Sequence, residues 1–369
     1  MKNYKILIKT NQFFYPVIIG KNILINISDI LKENKIFFQK CLIVYDGNVP
    51  LTALNILKRK LKNKNVFVYK IKSSEKVKNT NTVNKILNFT LKHKFHRTDL
   101  IISVGGGIVS DIAGFVSSIF KRGINFVNMP TTLLSQVDAS IGGKTGVNST
   151  YGKNLIGSFY QPKLVLSDIL FLKSLPKREI ICGYAEILKH TLIRNKKKFS
   201  FLDKNLKKIF DIDEKIISKT IYESCKIKKS IIEKDPLEKN LRRMLNYGHT
   251  FGHAFEANLN YSKKLNHGEA VLLGMYCANN FAYRKNIISK NDFNTIEQHF
   301  AKFNLSNKLK RIVKRNNLSK IINYMKSDKK NYNNRINLIL INKIGSAKIN
   351  NTYKTMEIES FLRNLLINR

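Results

Sequence analysis

Residues 100–116, LIISVGGGIVSDIAGFV, constrain the fold of this chain more than any other stretch. Its opening LIISV, apolar but for Ser103, reads as a strand buried on both faces. Gly105, Gly106 and Gly107 then carry it straight into SDIAGFVSSIF, whose apolar residues recur at helical spacing. Backbone without side chains at such a junction lets peptide N–H groups approach an anion at the positive end of the helix dipole. The spacing is not GxGxxG, so the stretch by itself leaves open a phosphate-binding turn and a tight strand-to-helix turn with no ligand.

The flanking sequence repeats the strand-then-helix alternation. YKILI, CLIVYD, NVFVYKI, DLIISV and NFVNMP are rich in β-branched and aromatic residues, whereas LTALNILKRKLK and TVNKILNFTLKH carry helical periodicity. Such alternation implies βαβ units, with ligands at the carboxyl ends of the strands. Asp46, at the end of CLIVYD, is placed either to accept from a ribose hydroxyl or to cap the next helix. After about residue 170 the pattern turns helical in REIICGYAEILKHTLI, DEKIISKTIYESCKIKKSII and GEAVLLGMYCANNFAYRK. The expectation is an α/β N-terminal nucleotide-binding domain with a Rossmann-like parallel sheet, 1–170, and a mostly α-helical C-terminal metal-binding domain, 171–369. Between the halves, SIGGKTGVNSTYGKNLIGSFYQP is too polar for a core and too rich in hydrogen-bond donors to be only a linker.

With 369 residues the chain has room for two ordinary domains, and 43% hydrophobic residues are normal for a globular protein. Its charge is not: 66 Lys and Arg against 25 Asp and Glu give +41, a field that attracts phosphates and nucleic acid. The lysines are scattered rather than gathered on a tail or stripe, and Asn and Ile are abundant too, as drift toward A/T-rich codons would produce. That reading is preferred to a nucleic-acid footprint. Four dispersed cysteines, Cys41, Cys182, Cys225 and Cys277, form no CxxC pair, which argues against a disulfide framework and a thiolate zinc site. Lys5 and Lys9 interrupt the N-terminal apolar residues, and no apolar run approaches twenty residues. A cytoplasmic, soluble protein without signal peptide or membrane segment is expected.

Chemistry-bearing residues concentrate in two places. In MPTTLLSQVDASIGGKTGVN and YGKNLIG, Thr131 and Thr132 offer hydroxyls at a strand end, and Lys144 and Lys153 sit among glycines suited to a bound anion. Further on, NYGHTFGHAFEANLNYSKKLNHGEA holds His249, His253 and His267, three of the chain's seven histidines. His249 and His253 are four apart and face one side of a helix. The metalloprotease pattern needs Glu directly after the first histidine, where Thr250 stands. Two histidines with a carboxylate such as Glu186 would leave a zinc ion an open position; satisfied core histidines are the alternative. A nucleotide-binding half, a candidate metal site and clustered anion binders together suit metal-assisted hydride transfer on an anionic substrate.

In order along the chain, SVGGGIVSDIAGF, KRG, MPTTLLSQVDASIGGKTGVN, GKNLIGSFYQP, LPKREIICGYAEILKH, LNYGHTFGHAFEA, HGEAV and SDKK resemble the motifs of the 3-dehydroquinate synthases, sugar phosphate cyclases of the shikimate pathway to chorismate and the aromatic amino acids. The resemblance implies a homodimeric lyase with an NAD-binding α/β domain, a helical domain carrying zinc or cobalt, and an active site between them. It implies Glu186, His249 and His267 as metal ligands. For NAD it implies Asp46, Glu75 and Lys78; the turn Gly106, Gly107, Ile108, Val109, Ser110 and Asp111; Thr131, Thr132, Asp138, Lys144 and Lys153; and Phe171, Leu172, Lys173 and Ser174. For the substrate and its phosphate it implies Lys144, Asn154, Lys189, Lys228, Arg242, Asn246, His253 and Lys329, with Arg122 reaching in from a dimer partner.

The implied reaction converts 3-deoxy-D-arabino-heptulosonate 7-phosphate into 3-dehydroquinate and phosphate. Oxidation at C5 acidifies the adjacent C–H, phosphate leaves, the same NADH restores the alcohol, and ring opening with aldol closure completes the carbocycle. The phosphate itself can serve as base, in keeping with the lack of a carboxylate pair. A metal- and NAD-dependent polyol dehydrogenase, another sugar phosphate cyclase, and a nucleic-acid binder on an old enzyme scaffold are the rival readings. Several positions depart from the family pattern: Ser73-Ser74 before Glu75, Ser110 in the glycine turn, Pro236, Asn240, Asn334 and Asn337. They bear on the tightness of the NAD turn and the order of the C-terminal segment; the same activity is expected.

Overall fold

The computed structural model describes residues 3–10, 13–326 and 335–367. It divides into two compact units, one of Met1–Gly183 with Lys208–Leu237, the other of Tyr184–Lys207 with Glu238–Arg369.

In the first unit the strands are β1 Tyr4–Lys9, β2 Phe14–Gly20, β3 Lys40–Asp46, β4 Asn65–Ile71, β5 Leu100–Gly105, β6 Asn125–Pro130, β7 Lys144–Ser149, β8 Gly152–Phe159 and β9 Leu164–Asp168. Its early helices are α1 Ile27–Glu33, α2 Leu51–Lys60, α3 Thr80–Lys92 and α4 Gly107–Ile119. Seven strands form one sheet in the order β1-β2-β9-β6-β5-β3-β4, parallel except where β1 pairs antiparallel with β2. The chain leaves β3 for β4 on one side and then returns to β5 on the other. Right-handed crossovers therefore put α2 on one face and α3 and α4 on the other, and the strand order reverses between β3 and β5. Alternate side chains of β3 follow suit. Cys41, Ile43 and Tyr45 enter one buried cluster, Leu42 and Val44 the other. This is why these strands read as continuous apolar runs rather than as alternating ones.

The polar stretch between the halves folds as the antiparallel hairpin β7–β8, in keeping with its being more than a linker, and it lies so close to α4 that a Cβ on Gly114 would sit 2.4 Å from Thr145 Cγ2. Beside the boundary expected at residue 170, the compact units place 171–183 and the later segment 208–237 with the first unit. The returning segment is built around α8, Glu214–Ile232, whose Tyr222 stacks on Tyr4 with ring centroids 4.6 Å apart. Glu233, just beyond it, accepts from the Lys9 amide at 2.6 Å.

The other unit comprises the remainder of α5 (Lys177–Arg194), α6 Lys196–Lys204, α9 His249–Asn258, α10 His267–Arg284, α11 Lys290–Ala301, α12 Leu305–Ile312, α13 Leu318–Lys326 and α14 Thr355–Ile367, with α7 Leu206–Phe210 at the point where the chain changes units. The mostly helical reading holds, with one addition: β10 Arg335–Lys343 and β11 Ser346–Lys354 make an antiparallel ribbon. Glycines set the spacing of α9 and α10. A Cβ on Gly274 would lie 1.9 Å from the Gly248 carbonyl oxygen, and one on Gly252 2.8 Å from that of Ala270. Gly248 also has φ +80°, a conformation that side-chain-bearing residues rarely adopt. Among the described residues no helix is long and apolar enough to cross a membrane.

Candidate functional site

In the α/β unit, the candidate nucleotide residues meet at the carboxyl ends of β3 and β5, where the strand order reverses. Gly105 ends β5 so close to its neighbours that a Cβ would sit 2.8 Å from Val109 and 3.2 Å from Asp46. Gly106 precedes α4 without any side-chain cap, so the first N–H groups of the helix, beginning at Gly107 and Ile108, retain their capacity to bind an anion. Ser110, where the family pattern has glycine, is buried and donates to Asn128 Oδ1 at 2.9 Å, beside Ser103 at 2.7 Å. The departure is thus absorbed by a specific hydrogen bond rather than by a looser turn. Asp46 accepts from the Asn48 amide at 3.0 Å, so it caps its own turn in addition to facing the ligand edge of the sheet.

Nearby, Lys78 is buried and donates to Asp111 Oδ2 and Asn154 Oδ1, both at 2.5 Å. Burial pushes the Asp111 carboxyl up even against the opposing charge of Lys78. Glu75 accepts from Asn148 Nδ2 at 2.8 Å and has Lys153 Nζ at 3.7 Å. Thr131 donates its amide to Gly105 O at 2.9 Å, and Thr132 Oγ1 lies 2.8 Å from Ser135 Oγ. Lys228 of α8 donates to both the carbonyl and the carboxylate of Asp138 at 2.5 Å. The structure therefore brings an expected nucleotide residue and an expected substrate residue into one ion pair. Lys144 begins β7 as an exposed side chain, directly after Gly143 at φ +65°. Phe171–Ser174 form the end of a 3-10 helix capped by Asp168, with Phe171 and Leu172 buried. Arg122, also at positive φ, sits on the tight turn after α4.

The helical unit holds a second cluster. Glu186 on α5 is fully buried. Its Oε1 lies 3.6 Å from His249 Nε2 and 3.5 Å from His267 Nε2, and Lys189, one turn along α5, pairs with Oε2. Donor atoms bound about 2.0–2.1 Å from a tetrahedral zinc ion stand about 3.3 Å apart, and both carboxylate–imidazole distances already lie near that separation. One carboxylate and two imidazoles are also a donor set that zinc or cobalt accepts while keeping a position open. Burial alone would raise the Glu186 carboxyl, yet Lys189 and the two imidazoles hold it well below the usual carboxylate range. Burial and Lys189 keep His249 well below the ordinary histidine value. His267 goes the other way: burial opposes its charge, but Glu186 and Glu256 outweigh that and push it up to about 10. A proton held between two carboxylates in this manner is one that a dication displaces on binding.

His249 and His267 come together because α9 and α10 each begin at the cluster. Gly248 turns the chain into α9, and Asn266 with Glu269 forms a capping box at the start of α10. His253 lies one turn along α9, its ring centroid 5.2 Å from that of His249 and 6.1 Å from that of His267. Lys189 and Arg242 are both buried, and Asn246 donates to Glu238 Oε1 at 3.0 Å. Lys329 and Asn334 lie outside the described residues. Asn337 is paired with Thr352 in the β10–β11 ladder. Two residues in contact with expected site residues escaped the sequence reading: Glu238, which accepts from Asn246, and Glu256, whose Oε2 is 3.4 Å from His267 Nδ1. For Glu256 a signal existed, since it follows His249 and His253 by seven and three residues and so shares their helix face.

Two family models match successive parts of the chain. The family model described as 3-dehydroquinate synthase N-terminal matches residues 68–182, and the one described as 3-dehydroquinate synthase C-terminal matches 183–331. A 3-dehydroquinate synthase of Pelagibacter ubique is 50% identical over 359 residues, covering 97% of this chain and 98% of the relative. Among solved structures, 2-deoxy-scyllo-inosose synthase complexed with carbaglucose-6-phosphate, NAD+ and Co2+ superposes with a TM-score of 0.87 at 24% identity, covering 98% of this chain and 99% of the other. The 2-epi-5-epi-valiolone synthase of Streptomyces hygroscopicus with NAD+ and Zn2+ bound gives 0.83, also at 24% identity, over 96% and 97%. At that identity the structural likeness speaks for the fold.

Proposed function

The chain belongs to the 3-dehydroquinate synthase family, and from that premise we propose that it converts 3-deoxy-D-arabino-heptulosonate 7-phosphate into 3-dehydroquinate and inorganic phosphate. The observation that carries the reading is the convergence of Glu186, His249 and His267, with ligand atoms at 3.5–3.6 Å, in a chain whose other unit presents an uncapped glycine turn at a sheet switch point. When bound, NAD supplies the hydride acceptor and donor, and a zinc or cobalt ion supplies the positive charge that favours an alkoxide at C5.

The chain's own residues bind, orient and balance charge. The turn Gly106–Asp111 offers backbone N–H groups to the pyrophosphate of NAD. Asp46, Glu75, Lys78, Thr131, Thr132, Asp138, Lys153 and the 171–174 segment fix its remaining groups. Glu186, His249 and His267 hold the ion. Lys144, Asn154, Lys189, Lys228, Arg242, Asn246, His253 and Lys329 hold the sugar acid and its leaving phosphate, with the partner's Arg122 added in a homodimer. Fixed cations around a departing phosphate lower the barrier most when they need no reorganisation, and buried Lys189, Lys228 and Arg242 are placed by their surroundings in advance. The enzyme acts in the cytoplasm on a small-molecule substrate.

The test is phosphate release from the heptulosonate phosphate with NAD and zinc, with and without chelator. The proposal expects stoichiometric phosphate and 3-dehydroquinate, no net NADH, and loss of activity on chelation. Net NADH from glycerol without phosphate release would replace it with the polyol dehydrogenase reading.

A further inference from the structure

His267 differs from its fellow histidine in what faces its second ring nitrogen. Nε2 lies 3.5 Å from Glu186 Oε1 while Nδ1 lies 3.4 Å from Glu256 Oε2, so the ring is held between two carboxylates. His249 instead turns Nδ1 toward a neutral group, the Tyr247 carbonyl at 3.3 Å. Glu256 is itself buried, 7% exposed, on α9. A buried carboxylate is costly unless it is paired, and this one is aimed at the imidazole from the side away from Glu186.

A neutral imidazole has one donor nitrogen and one acceptor. Once a cation displaces the proton on Nε2, a carboxylate at Nδ1 keeps the remaining proton there and so leaves the Nε2 lone pair for the cation. Charge balance argues the same way. Glu186 alone does not neutralise a dication beside Lys189; a second carboxylate one imidazole away brings the group nearer to neutrality.

We propose that Glu256 is a positioning residue: it fixes His267 in the Nδ1–H form and thereby sets the affinity of the Glu186–His249–His267 group for its divalent cation. The inference rests on the reading of that group as a metal site. It assigns no direct ligand role to Glu256 and no contact with substrate.

The experiment measures zinc affinity by competition with a chromophoric chelator for the wild-type protein and for Glu256→Gln, Glu256→Ala and His267→Ala. Melting temperatures of the metal-free proteins and visible spectra of the cobalt-loaded ones are recorded in parallel. Glu256→Gln, which keeps the shape and an acceptor but loses the charge, weakens zinc about 10-fold, and Glu256→Ala weakens it up to about 100-fold. Both keep one equivalent at saturation, shift the cobalt spectrum and leave the metal-free melting temperature where it was. Wild-type affinity in both Glu256 variants would overturn the proposal while leaving the metal site intact. An affinity loss matched by a lower metal-free melting temperature would also overturn it, since Glu256 would then be supporting the fold alone. Failure of the metal reading looks different: the wild-type protein binds no zinc, or His267→Ala binds it unchanged.

Discussion

Substituting Gly274 by alanine tests whether glycine-mediated contact between α9 and α10 is what assembles the histidine cluster. The added Cβ would lie 1.9 Å from the Gly248 carbonyl oxygen, 2.8 Å from the Gly248 carbonyl carbon and 2.9 Å from the Gly252 nitrogen. All three are backbone atoms, so no rotamer change relieves the clash. Ordinary contact requires about 1.5 Å more, and α9 must retreat by about that distance. His249 follows Gly248 directly and moves with it, which would stretch its 3.6 Å separation from Glu186 well beyond the tolerance of about 0.2 Å on metal–ligand distances. Overpacking costs about 1–3 kcal/mol, and alanine returns about 1 kcal/mol of helix propensity. A clash with three backbone atoms belongs at the upper end of that cost, so the net is about 2 kcal/mol and the melting temperature falls by several degrees, at about 2–4 °C per kcal/mol. Calorimetry of the metal-free protein and zinc content after dialysis read the two effects separately. Gly274→Ala protein that melts with the wild type and retains a full equivalent of zinc would refute the reasoning.

Other expectations follow from individual contacts. Glu186→Ala, His249→Ala and His267→Ala each abolish phosphate release and lower bound zinc by metal analysis; full zinc in all three removes the ligand assignment. Asp168 is buried and accepts from the Leu24 and Leu170 amides at 3.2 and 3.0 Å, so Asp168→Ala orphans two helix-start donors and costs about 2–3 kcal/mol in denaturant titration; an unchanged midpoint contradicts this. His299 is held below its ordinary value of 6.5 by burial, which outweighs its bond to Asp203. Below pH 6.5 the unfolded chain therefore takes up a proton that the folded one refuses, so this contribution to stability is complete above that pH and declines as pH falls. His299→Gln should flatten the fall in melting temperature between pH 7 and 5, and identical slopes would dismiss the linkage. Despite +41, duplex DNA binding should vanish near physiological salt while phosphate release persists; salt-resistant binding would revive the nucleic-acid reading.

Much of the α/β unit is legible in the sequence because a strand buried on both faces leaves a continuous apolar signature. β3, β5 and β6 were readable in this way. β2 and β9 were not identified as strands, since Pro16 and the flanking loops obscure FYPVIIG and LVLSD is short. The hairpin β7–β8 was invisible for a different reason: KTGVNS buries only the adjacent Gly146 and Val147 and GKNLIGSF buries no residue, so neither shows an alternation. The return of α8 to the first unit depends on Tyr222 meeting Tyr4, a contact between residues far apart in the chain, and no local periodicity records it.

The sequence alone determined the local chemistry: where glycine permits a sharp turn, where an apolar stripe forms a helix, and that His249 and His253 share a face. It also carried the ordered motifs that mark the family. What only the tertiary structure decided is which groups meet. Glu186 and His249 are 63 positions apart, and nothing in their spacing states that a carboxylate and an imidazole come within 3.6 Å. Likewise, spacing set Glu256 on the face of His249 and His253, but only the approach of α10 across Gly252 and Gly274 brings the His267 ring between Glu256 and Glu186. Helical and strand periods are properties of neighbouring residues, whereas a metal site is set by distances between elements, and those are fixed by packing.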